Sequence, residues 1–169
     1  MPRLAVHTIG EQLLRKLLTI PPLPRRADGP ERRACRAFLH DGRVIDHVIF
    51  MEDVISQYLG SAAFHYFIDV AEVTNVEPSP DVTPPEALQR LYECPETAMS
   101  YLHFKLVFRD GRVLRCSSGP CVEFLSLPDG FLARDIMDVI PLGRDQYEPG
   151  AHNADLVQMT CLYELPVSA

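Results

Sequence analysis

Two thiols lie close together in Cys116-Ser-Ser-Gly-Pro-Cys121, set across what reads as a turn. A cysteine pair with such a short spacer supplies half of a tetrahedral zinc site, and the other half comes from a second knuckle or from histidine. No second knuckle occurs, so His103, His65 or Cys161 would have to complete the set. The same two sulfurs could instead form a redox couple. Strand-end cysteines more often pack as small hydrophobes, so no metal and no cofactor is expected, with Cys116 and Cys121 the positions to inspect.

A second group that could do chemistry is His65, Asp69 and His103. Phe64, Tyr66, Ile68 and Val70 alternate with His65, Phe67 and Asp69, which puts His65 and Asp69 on one face of a strand, with Glu72 the next carboxylate along. His103 sits on the less apolar face of another strand. If the His65/Asp69 face lined a pocket, burial would raise the aspartate's pKa and lower the histidine's, an arrangement suited to proton transfer, and were the two strands adjacent, His65 and His103 could meet. A solvated polar face would carry the same residues. No G-x-S-x-G elbow, phosphate loop, G-x-G-x-x-G or H-E-x-x-H occurs, which favours a non-catalytic role without excluding an enzyme.

The elements that must position these groups centre on Ser100 to Leu127. Leu102, Phe104, Leu106 and Phe108 alternate with His103 and Lys105, giving a half-buried strand. Asp110-Gly111 then predicts a two-residue type I′ turn, with Arg112 to Cys116 returning and Val122 to Leu125 adding a third strand. The tetrapeptide Asp-Gly-Arg-Val occurs at Asp41 and again at Asp110, so a second hairpin is expected over Ala37 to Phe50.

Elsewhere, Thr8-Ile9-Gly10-Glu11 and Thr83-Pro-Pro-Glu86 match the capping box. They predict helices from about Ile9 to Thr19 and from the second box to about Glu93. Pro22 to Arg36 reads as an exposed basic linker, Glu52 to Leu59 as a short helix closed by Gly60, and Phe64 to Val76 as one long strand. Asp129 could cap a helix to Ile140 or begin an extended segment, Pro141 to Ala154 reads as a long loop, and Asp155 to Leu165 as a last strand. The fold class expected is α+β, a predominantly antiparallel sheet of about six to seven strands with about three or four helices, which two ββαβ halves could build. Residues 1–36 would form an N-terminal helix and linker, and residues 37–169 a single α+β domain.

Charge narrows the partners. The first 50 residues carry 9 Lys/Arg against 5 Asp/Glu, whereas the chain as a whole is at −7, so the remainder stands at −11. Such a body repels phosphates, and nucleic-acid binding is not expected. No apolar run reaches the roughly 18 residues of a membrane span. Five cysteines, an odd number without a recognisable leader, fit a cytoplasmic protein better than a disulfide framework. The expected function is a cytoplasmic, non-catalytic protein-binding module, such as an adaptor, an inhibitor or an immunity-type acidic partner; self-association is compatible with it. Arg25, Arg26, Arg32, Arg33, Arg144, Tyr147 and His152 are its candidate contacts. The alternative is a small-molecule-binding domain or enzyme with a pocket on the His65/Asp69/His103 face.

Overall fold

The computed structural model describes residues 4–26, 29–59, 65–97, 99–146 and 148–167. The chain divides into two compact units, one made of residues 1–80 and 158–169, the other of residues 81–157. The boundary expected after residue 36 is not where the contacts divide.

The first unit begins with helix α1 (Glu11–Leu18), followed by strands β1 (Arg32–Leu39) and β2 (Val44–Glu52), then β3 (Phe67–Asp69) and β4 (Val73–Pro78). The second contains helix α2 (Pro85–Glu93) and strands β5 (Leu102–Phe108), β6 (Val113–Ser118), β7 (Ile136–Pro141) and β8 (His152–Asn153); β9 (Met159–Tyr163) then returns to the first unit. Among the described residues nine strands therefore form two sheets, ordered β3-β9-β2-β1-β4 and β7-β5-β6-β8, and each mixes parallel with antiparallel neighbours. This replaces the single, predominantly antiparallel sheet, and two α-helices among the described residues replace three or four. Alternation reports which face of a strand is buried and is silent on which strand lies beside it or in which direction.

Both Asp-Gly hairpins form, although not with the two-residue turn. The Gly42 amide donates to the Leu39 carbonyl at 3.0 Å, the Leu39 amide donates to Arg43 at 2.9 Å, and Gly42 alone takes positive φ, +86°. This is a three-residue loop closing on a left-handed glycine. The second hairpin repeats it with Gly111 to Phe108 at 2.9 Å, Phe108 to Arg112 at 3.0 Å, and φ +85° at Gly111.

The correspondence extends beyond the turns. In each unit the first hairpin strand pairs antiparallel with a strand that follows a 3-10 turn, Val70–Glu72 before β4 and Ala133–Asp135 before β7. Cys35, Ala37 and Leu39 face Pro78, Val76 and Val73 as Phe104, Leu106 and Phe108 face Pro141, Val139 and Ile136, with a bulge at the same place. The preceding helix packs along that edge strand, and a cation from its last turn reaches the same strand position, Lys16 to Asn75 at 2.7 Å and Arg90 to Asp138 at 2.6 Å. The repeated arrangement is helix, hairpin, 3-10 turn and strand, not ββαβ.

Several local expectations fall with this. The long strand over Phe64 to Val76 is broken by the Val70–Glu72 turn, and Phe64 lies outside the described residues. For Asp129 to Ile140 the extended alternative holds and the helix does not, since a 3-10 turn leads there into β7, while Val122 to Leu125 forms only an isolated bridge, Val82 with Phe124. Glu52 to Leu59 holds one 3-10 turn, Ser56–Tyr58, while Gly60 lies outside the described residues. The basic linker ends early, because Arg32 already belongs to β1. Neither capping box closes as expected: the helices start behind Gly10 and Pro84 without a side-chain cap, and the Thr83 hydroxyl donates to the Val122 carbonyl instead.

The core of the first unit gathers Ile9, Leu17, Cys35, Ala37, Val48, Phe50, Val76 and Cys161 beneath the sheet. In the second, Leu88, Leu91, Phe104, Leu106 and Val139 are fully or almost fully buried. Among the described residues, no helix is long and apolar enough to cross a membrane.

Candidate functional site

Three neighbouring strands of the first sheet run parallel. Met51 of β2, Leu162 of β9 and Asp69 of β3 stand in line across them, so the carboxyl ends of the three strands lie on one side of the sheet. That end carries Glu52 as the last residue of β2 with Asp53 behind it, Glu164 after β9, and Asp69 at the end of β3, while Glu72 lies further along, where its carbonyl accepts from the His40 amide at 2.9 Å beside the first hairpin. The run from Met51 to Gln89 contains seven Asp/Glu and no Lys/Arg, a signal that was readable in the chain. What was not readable is the parallel docking of β9, which assembles the carboxylates from three separate stretches.

The individual carboxylates differ in their attachments. Asp69 accepts from the Ala71 amide at 2.9 Å, holding the 3-10 turn, and lies 2.8 Å from His7 Nδ1. Burial pushes the Asp53 carboxyl up, but the Ser56 hydroxyl and the amides of Ser56 and Ile55 donate to it and hold it below the usual carboxylate range. Glu52 and Glu72 are exposed and enter no ion pair with another described residue. The field of this end is felt inside the sheet: burial first, and then the charges of Glu52 and Glu31 against that of Arg33, raise the Tyr163 phenol.

Beside β3 the segment Leu4 to Val6 forms the wall of an open groove of about 380 Å³, floored by Phe67, Ile68 and Leu162, with Asp69 and Glu72 in its lining. Val54 and Tyr58 follow the end of β2 and are 50% and 79% exposed; Tyr66, just before β3, is 53% exposed. Tyrosines in contact surfaces bring large area at low entropic cost.

The structure distributes the residues singled out from sequence. His65 is exposed in the turn before β3, Asp69 belongs to the five-stranded sheet, and His103 is half-buried on β5 in the four-stranded sheet. The adjacency on which the shared pocket depended is absent, because β3 has β9 as its neighbour. Asp69 and Glu72, by contrast, do come together. Arg33 is 7% exposed and spends its guanidinium on the Ile20 carbonyl and Glu31, so it holds α1 to β1 and does not serve as a contact. Arg32 is half-buried opposite Met51. Arg25, Arg26 and Arg144 are exposed, and His152 Nε2 is 2.7 Å from the Ser126 carbonyl. Tyr147 lies outside the described residues.

The two thiols are likewise separated in character. Cys116 is buried on the inner face of β6, where burial pushes its pKa up to about 12, while Cys121 is exposed. No disulfide joins them, and among the described residues no group of three or more His, Cys, Asp or Glu is placed to hold a metal ion. Cys35 and Cys94 are held up by burial too, to about 12 and about 11, and a thiol kept protonated is a poor nucleophile.

What remains is an acidic sheet end, a groove with apolar walls, and exposed aromatic residues nearby. No protein family, no curated protein and no solved structure matches the chain.

Proposed function

We propose that the chain is a non-catalytic protein-binding module whose partner presents a basic surface, in the manner of an adaptor, an inhibitor or an immunity-type protein. The supporting observation is the placing of Glu52, Asp53, Asp69 and Glu164 at one end of the parallel strands β2, β9 and β3, with Glu72 beside Asp69 in the lining of the adjoining groove. A surface of one sign accelerates encounter with a partner of the other sign and suppresses wrong partners. Val54, Tyr58 and Tyr66 supply contact area once the partner has arrived. Five cysteines, several with thiols kept protonated by burial, fit a reducing compartment, and we place the module in the cytoplasm on that ground.

The test is capture of a protein from the native host at low salt by the wild type and by the double reversal Glu52→Lys/Glu72→Lys. A specific basic partner retained by the wild type, and bound at least about tenfold more weakly by the double variant, is the expected result. A control reversal in the second unit, Glu86→Lys, is expected to leave capture unchanged. No partner retained at low salt, or one held equally by the double variant, overturns the reading.

A further inference from the structure

Resting on that reading, we infer that the groove beside β3 is the anchor point, taking one arginine side chain of the partner. Its floor and wall are apolar, formed by Val6, Phe67 and Leu162, and among the described residues its charged lining consists of Asp69 and Glu72, with no Lys or Arg. A long aliphatic stem ending in a cation matches both halves of that lining, stem on the apolar floor and guanidinium toward the carboxylates. Arginine fits better than lysine because a planar fork can engage a carboxylate through two parallel N–H donors and is more weakly hydrated than an ammonium.

The two carboxylates play different parts. Asp69 is already engaged by the Ala71 amide and by His7, which sets its orientation and ties the segment carrying the groove's wall to β3. Glu72 is exposed, with no side-chain ion pair to a described residue, and is the group left to meet the incoming cation. A second groove in this unit, of similar volume beneath α1, mixes Glu11 with Lys16, and that lysine already donates to Asn75 at 2.7 Å. It offers no comparable charge complement.

The probe is N-acetyl-arginine amide, titrated into the full isotopically labelled chain and followed by amide shifts in NMR. The neutral isostere N-acetyl-citrulline amide serves as the control. Shifts confined to Val6, Phe67 to Asp69, Glu72 and Leu162, saturating near about 1 mM, are expected with arginine and not with citrulline. Glu72→Gln, which keeps size and shape, is expected to weaken them about tenfold. Citrulline binding as well as arginine, or arginine shifting residues elsewhere, overturns the inference. The same Glu72→Gln variant in partner capture separates the two ideas: if it leaves the partner bound as before while Glu52→Lys/Glu72→Lys releases it, the acidic end is the interface and the groove is not its anchor.

Discussion

The two units share a helix, a hairpin, a 3-10 turn and an edge strand in matching register, and they part at the fourth sheet position. In the second unit that position is filled from within by β8, two residues paired with Cys116 and Ser117. In the first it is filled by β9, five residues paired with β2 and, on its other side, with β3. The single carboxylate near the end of the shorter pair, Asp155, is consumed locally, accepting from the Ser118 hydroxyl at 3.1 Å and from the Gly119 amide. The longer triplet leaves Glu52 and Glu72 outside such bonds. One framework thus yields a self-satisfied strand end in one case and an outward-facing acidic one in the other, and the difference lies in the strands added to it.

The comparison breaks most visibly if β9 is removed. Ending the chain after Val157 takes Cys161, Leu162 and Tyr163 out of the middle of the first sheet, where all three are buried, and strips β2 and β3 of their shared neighbour. Hydrogen exchange is expected to show protection lost throughout β1, β2 and β4 and kept in β5, β6 and β7. Equal loss in both units would mean that the second does not stand by itself.

Next in size are the matched helix residues Leu17 and Leu91, both essentially unexposed. Leu17→Ala and Leu91→Ala are each expected to cost about 2–5 kcal/mol through lost burial and the cavity left behind. Denaturant unfolding with a probe in each unit checks whether each substitution is felt only where it is made.

Smaller still are the turn glycines. A Cβ at Gly42 or Gly111 would meet nothing within 4 Å, so alanine there faces only the backbone cost of φ near +85°, about 1–2 kcal/mol. The two substitutions should agree closely, and a marked difference would show that the hairpins are not equivalent.

The smallest effect concerns Asp41 and Asp110. Donation from the amide of Arg43 or Arg112, reinforced by that arginine's side chain, holds each carboxyl below its ordinary 3.8. A depressed carboxyl contributes stability that is fully present above the unfolded value and is lost as pH falls through the folded one. Asp41→Asn and Asp110→Asn are therefore expected to flatten the acid limb of a stability–pH profile below about pH 4, and by similar amounts.

Much of this was legible in the chain. The alternation of Leu102 to Phe108, the two Asp-Gly turns and the helix ending at Glu93 all follow from local periodicity and turn chemistry. The strand at Met159 to Tyr163 was legible as a strand but not as the parallel neighbour of β2, since pairing partners distant in sequence leave no local trace. Arg33 read as one more solvated arginine of a basic run, because nothing in Glu31-Arg32-Arg33 announces that one guanidinium turns inward to the Ile20 carbonyl. The candidate site was half visible: Asp69 and Glu72 stood out as carboxylates, whereas Val6 and Leu162, which give the groove its apolar surface, are unremarkable until the ends of the chain are brought to β3.

The insertion of residues 81–157 between β4 and β9 also sets the order in which the protein can be finished as it is made. The first unit is synthesised first yet lacks a central strand until β9 has left the ribosome, whereas the second needs nothing beyond Val157. Translation would ordinarily let the N-terminal portion fold ahead of the rest. Here the later portion is complete first, and until β9 arrives the edges of β2 and β3 wait uncovered for whatever extended chain is nearest.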